Sequence, residues 1–263
     1  MGQLVRLNTV FGNKKLPVII DRDISALESE ILSLPNLRGF WDMSDTASRT
    51  VSGGKITKIL DKSAAANHLV ADHSSAPVVD GSVLGGLSSA YFDGSVGMVS
   101  EGNVFNAAWD KVTFVVFAVK SEITNPINTV LVAGKTNATV TLYANNSNIG
   151  INSANLFLNG GGNLPGKPIS VIASTNLTEN RSTIRSEESV VQQSNLAPRT
   201  LKTEPIYIGK WPESANPEVA IGWKGYIGHV MVFNGYIEDS QYISDLLLEY
   251  ARRKYNTSAW ENR

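Results

Sequence analysis

The chain contains no cysteine. That removes disulfides, thiolate metal ligands and cysteine nucleophiles together, and it leaves the compartment open, since such a chain tolerates reducing and oxidising surroundings alike. Net charge is missing too: Lys and Arg number 23 against 24 Asp and Glu, a formal charge of -1. No bulk positive field draws a phosphate backbone, so nucleic acid is not expected as a partner. The short basic run Arg252, Arg253, Lys254 closes a helical pattern, where cations suit the negative helix end. Long apolar runs are absent as well. The longest, "VTFVVFAV" at 112–119, is of strand length and too short to span lipid, so no membrane partner is expected. The opening "MGQLVRLNTVFGNKKLPVII" lacks the apolar core and cleavage site of a secretion signal. Arg6 stands where a myristoylation signal carries Ser or Thr.

What is present is a core. A chain of 263 residues can bury roughly 70–75% of its unfolded surface without covalent staples. Residues 1–23 mix basic and apolar side chains without a period and are interrupted by Pro17. In 24–34, "ISALESEILSL", Ile24, Leu27, Ile31 and Leu34 recur at spacings of three and four, which aligns them on one helical face. Asp23 caps this helix and Pro35 stops it. The stripe serves either as an oligomerisation and attachment seam between subunits or as a face laid on the chain's own domain. Two heptads are too few for a free-standing coiled coil, which favours the second.

From Gly39 onward, short β-type runs alternate with Gly, Asn, Ser and Pro clusters. In "VTFVVFAVK", Val112, Phe114, Val116 and Ala118 share one face, and Thr113, Val115, Phe117 and Val119 the other. Both faces are largely apolar, which predicts a central strand covered on each side or one facing a partner. In "SQYISDLLLEYARRKY" the period changes, and Tyr242, Ile243, Leu246, Leu247 and Tyr250 form a helical stripe after the capping residues Glu238, Asp239 and Ser240. No repeat of 20–50 residues recurs, which removes solenoids and propellers. The expected fold is all-β: a two-sheet antiparallel sandwich with a short N-terminal arm and helix and one C-terminal helix.

Four segments, in this order, carry a resemblance: "LRGFWDMSD" at 37–45, "GGKITKILDKSAAANHLVA" at 53–71, "AYFDGS" at 90–95 and "GYIGHVMVFNGYIEDSQYISDLLLEYARRKY" at 225–255. Together they resemble the concanavalin A-like, laminin G-type jelly-roll domains of tailed-bacteriophage virion proteins. The likeness implies a domain over 36–256, with 1–35 as arm and helix and 257–263 as tail. It also implies that the last strand lies beside the first, with Trp41 near Phe233 and both in the core. The chain departs from the family at Leu60, where Trp is common, and at Ala64, Ala65, Ala66 and Asn67, where Gly-Asn follows the turn. The turn at Asp61 is expected to hold its backbone by side-chain hydrogen bonds.

The resemblance supplies candidate sites. Laminin G-type domains can hold calcium at the sandwich rim, and Asp42, Asp45, Asp61 and Asp93 are the carboxylates for it; no other cofactor is expected. Glycan binding needs an aromatic platform, for which Trp211, Trp223 and Tyr143 are the candidates. Glycosidases on this scaffold use two carboxylates facing one substrate. Glu28 and Glu30 fall in the helix, and the adjacent Glu187 and Glu188 face opposite ways on a strand. His68, His73 and His229 read as solvent-exposed, and the spacing of five between the first two is not that of a helical metal pair. "NGGGNLPG" at 159–166 leads to Pro165 rather than to a helix, so it reads as a hairpin loop and not a phosphate cradle. The expectation is therefore a non-enzymatic virion structural protein, a capsid decoration or a tail or fibre component, assembled in the host cytoplasm. Its expected partners are other virion proteins and further copies of itself, and the alternative is a receptor-binding lectin for bacterial surface polysaccharide. A polysaccharide depolymerase is the remote alternative.

Overall fold

In the computed structural model the described residues are 23–72, 76–84, 87–121, 129–135, 140–144, 149–151, 156–158, 166–186, 189–196, 199–210 and 221–255. Helix α1 (Ile24–Leu32) precedes strands β1 (Leu37–Asp42), β2 (Arg49–Ser52), β3 (Lys55–Ile59), β4 (Leu69–Ala71), β5 (Val78–Leu84), β6 (Leu87–Asp93), β7 (Met98–Ser100), β8 (Lys111–Lys120) and β9 (Thr129–Gly134). Then come β10 (Leu142–Ala144), β11 (Ile149–Ile151), β12 (Leu156–Leu158), β13 (Pro168–Asn176), β14 (Arg181–Arg185), β15 (Val190–Gln193), β16 (Ile206–Ile208), β17 (Ile221–Gly222), β18 (Lys224–Phe233) and helix α2 (Gln241–Tyr255).

The first sheet is organised around β18. One edge of β18 pairs with β8 along most of its length; the other pairs with β6 and then with β1. From β8 the sheet continues antiparallel through β13, β14 and β15. The second sheet runs β2, β3, β4, β7, β16, β9, β10, β11, β12, also antiparallel. The short β17 is the exception, pairing parallel with β9. This is the expected all-β sandwich.

Strand β8 explains the layering. Val112, Phe114, Val116 and Ala118 enter the core between the sheets with Trp41, Phe92, Ile206, Ile208 and Val230. Its alternate residues face outward, and helices cover them. Val115 packs with Leu27, Ile31, Phe40, Met231, Leu246, Leu247 and Tyr250. Phe117 and Val119 pack with Ala251 and Tyr255. Each fully buried Leu or Ile in this second layer contributes roughly 1.5–3 kcal/mol of transfer free energy, which is why α2 stays on the sheet. Helix α1 lies on the same layer through Leu27 and Ile31, and Asp23 caps it by accepting from the Ser25 and Ala26 amides.

The last strand does lie beside the first, but the register differs from the expectation. Trp41 pairs with Val230 and Leu37 with Phe233. Trp41 belongs to the core between the sheets and Phe233 to the helix-covered layer, so both are buried but face opposite ways. Strands β2, β4, β7, β15 and β17 were not legible. Two to four residues carry too little periodicity, and their neighbours' backbone groups define them.

Candidate functional site

The two helices pack on the outer face of the first sheet, and among the described residues no helix covers that of the second along β3, β4, β7 and β16. Backbone register lines up Lys58, Val70, Val99 and Tyr207 across four adjacent strands. Ile206 and Ile208 point into the core, so alternation turns Tyr207 outward, where it is half-buried. Val70 and Val99 are also half-buried and give the ring a flat apolar flank. Lys58 Nζ meets both Glu101 carboxylate oxygens at 3.0 and 2.9 Å. Burial, with the nearby charges of Asp72 and Glu204, pushes the Tyr207 phenol up. An apolar ring with charged donors and acceptors around it suits a ligand having both C–H faces and hydroxyls. Beyond Tyr207 the row continues to the buried Ala133, and Tyr143 on β10 is only 5% exposed, so the face is closed there.

A second constellation joins β1 to both helices. Asp42 is fully buried, yet its carboxylate meets Lys254 directly and Lys62 at 3.5 Å. The Ser44 amide and hydroxyl donate to its other oxygen at 3.1 and 2.7 Å. Lys62 also reaches Glu28 at 2.5 Å and Asp45 at 3.0 Å. Lys254 donates to the Tyr250 hydroxyl at 2.9 Å, which in turn donates to Glu28 at 2.9 Å. Burial alone would raise the Asp42 carboxyl, but Lys254, Ser44 and Lys62 outweigh it and hold the carboxyl below its usual range. Burial likewise opposes the Lys62 charge, but Glu28, Asp42 and Asp45 push its pKa up to about 12.

His229, expected to be exposed, is completely buried beside this cluster. Its Nδ1 lies 3.0 Å from the Tyr255 hydroxyl, and its Nε2 has no hydrogen-bond partner among the described residues. Burial, reinforced by Lys254 and only partly opposed by Asp42, brings its pKa down to about 3.

The expected site residues scatter. Trp211, His73, Glu187 and Glu188 lie outside the described residues. Trp223 is a core residue at 0% exposure, and Tyr143 is buried, so neither ring offers a face to a sugar. The four aspartates do not converge on a calcium site. Asp61 accepts from the Phe40, Ser63 and Asn67 amides, as the expected turn requires. Asp93 holds Ser95, Asp45 caps a 3-10 turn through the Ala47 amide, and Asp42 is taken by lysines. Among the described residues no group of three or more His, Asp or Glu side chains is gathered for a metal ion. His68 Nδ1 accepts from the Asp61 amide at 3.1 Å. The seam residues Leu27 and Ile31 are consumed inside the chain, Leu34 is half-buried, and Ile24 alone of the four is exposed, at 40%. Sequence reasoning missed Tyr207, although the alternation of "EPIYIGKW" held the signal. It also missed the Asp42–Lys254 contact, for which no local signal exists.

No protein-family model matches the chain, and no curated protein sequence matches it. Solved structures do. Domain 4 of a GH43 extracellular arabinanase from Geobacillus stearothermophilus, solved with arabinotriose, matches at a TM-score of 0.52 and 12% identity, over 82% of this chain and 98% of that one. Trypanosoma rangeli sialidase with sialic acid matches at 0.53 and 12%, over 85% of this chain. A botulinum neurotoxin type C chain, described with two ganglioside molecules in cell entry, matches at 0.52 and 9%, over 84% of this chain. The chain spans 34% of the sialidase and 53% of the toxin chain. The expectation that the chain is not an enzyme is corrected by these matches, because part of a sialidase chain and one domain of an arabinanase share its fold, and the fold therefore supports no exclusion of catalysis. The chain has the β-sandwich fold that these structures share.

Proposed function

We propose that the chain binds carbohydrate on the open face of its second sheet, as the polysaccharide-recognition module of a bacteriophage virion. The observation that carries this is the asymmetry of the sandwich. Helices seal one outer face, while the other presents Tyr207 between Val99 and Ala133, with Lys58, Glu101 and Asp72 nearby. A rigid aromatic ring stacks on the C–H face of a sugar at little conformational cost, and carboxylates and amines at its rim bond the hydroxyls. Arabinotriose and sialic acid in two of the structures sharing the fold, and the dependence of cell entry on gangliosides stated for the toxin, support the ligand class. The virion setting is supported by the order of the four sequence segments and by a cysteine-free chain that needs no oxidising compartment to fold.

The test is titration of the purified chain against bacterial surface polysaccharides and a glycan array. Saturable binding weakened about tenfold or more in Tyr207→Ala, equivalent to about 1.4 kcal/mol, is expected. Absence of binding to every glycan, or binding unchanged in Tyr207→Ala, would remove this face as the site.

A further inference from the structure

The contact between Asp42 and Lys254 has the parts of a condensation site. The carboxylate is fully buried, the Lys254 side chain is 10% exposed, and the two groups touch. Aromatic rings line the contact: Lys254 Nζ lies 5.2 Å from the Tyr250 ring centre and 5.9 Å from that of Tyr255, and Phe40 packs edge-on to Tyr250 at 5.9 Å. A proton path leads away from the amine, from Lys254 to the Tyr250 hydroxyl and on to Glu28, in two steps of 2.9 Å. Donors stand at the carboxyl oxygens, with Ser44 at one and Lys62 at the other.

We propose that Lys254 and Asp42 join as a side-chain amide, cross-linking the last helix to the first strand. The ammonium first gives up a proton through Tyr250 to Glu28. The freed Nζ electron pair attacks Asp42 Cγ, and the negative charge that develops on oxygen is held by Ser44 and Lys62. The C–N bond forms, one C–O bond breaks, and the departing oxygen leaves as water. Two of the three ammonium protons go with it, one directly from Nζ and one returned from Glu28 by way of Lys62, and the third stays on the amide nitrogen, so the reaction needs no oxidant, reductant or co-reactant. Contact replaces a bimolecular encounter, which raises the effective concentration of the amine. The drive is electrostatic. A buried ion pair carries a desolvation penalty that a neutral amide does not, and the water produced escapes to solvent. Lys62 is the weaker candidate because it is shared among three carboxylates and stands 3.5 Å from Asp42. The link would tie residues 212 positions apart in a chain without disulfides.

Intact mass spectrometry of the full chain tests this directly. The wild type is expected to weigh about 18 Da, one water, less than its sequence. Trypsin should fail to cut after Lys254, and the fragment containing it should be found joined to the one containing Asp42. Lys254→Arg keeps the charge and the ion pair but cannot form this amide, and it is expected at full mass. A wild-type mass equal to that of the sequence overturns the proposal. So does a deficit that persists in Lys254→Arg, because the water is then lost elsewhere.

Discussion

Asp42, at the end of the first strand, is in direct contact with Lys254, in the last turn of the final helix. The contact sets how tightly the helical layer is held. Asp42→Ala leaves Lys254 and Lys62 facing a site without its carboxylate; it prevents the amide with Lys254, and in a chain where the pair has not condensed, breaking one side of it costs about 3–5 kcal/mol. Chemical denaturation should show that loss as a lower midpoint. A midpoint unchanged from the wild type would mean the pair is solvated.

His229 makes stability depend on pH. Its folded pKa, about 3, lies below its ordinary 6.5, so the unfolded chain binds a proton through a range in which the folded chain does not. The contribution is complete above pH 6.5 and is lost as pH falls from there toward 3, with a slope of at most about 1.4 kcal/mol per pH unit. Asp42, where it is not condensed with Lys254 and is held below its ordinary 3.8, adds a further loss only in more acidic solution. Unfolding free energies measured between about pH 7 and pH 4 should slope downward with acid, and His229→Gln should flatten that slope. A flat wild-type curve would contradict a neutral buried imidazole.

Tyr207 should act through its ring face rather than its hydroxyl. Tyr207→Phe is expected to keep glycan affinity within about threefold of wild type while Tyr207→Ala loses about tenfold or more. Both variants should keep the wild-type circular dichroism spectrum, since the residue is half-buried. Equal losses in the two variants would assign the contact to the phenol oxygen.

Gly209 has a packing role that no other residue can fill. Its φ is +82°, and an added Cβ would sit 2.2 Å from the ring of the fully buried Phe92. Gly209→Ala combines a left-handed backbone with an overpacked core and should lower stability by about 2–4 kcal/mol. A thermal melt within a degree or two of wild type would show that the Phe92 ring can yield.

Wherever a pattern was long enough, the sequence by itself determined the architecture. Ten residues of β8 with two apolar faces define a central strand, and the stripes around Leu27 and Leu247 define helices that lie on it. The Asp61 turn was legible because an aspartate bonds backbone close to itself in sequence. Tertiary structure alone decided the rest. Which aromatic stays accessible depends on the layer that covers it, so Trp223 and Tyr143 are buried while Tyr207 is not. Residues as distant as Asp42 and Lys254 meet only when strand register and helix docking are both set, because charge contacts have no periodicity to betray them.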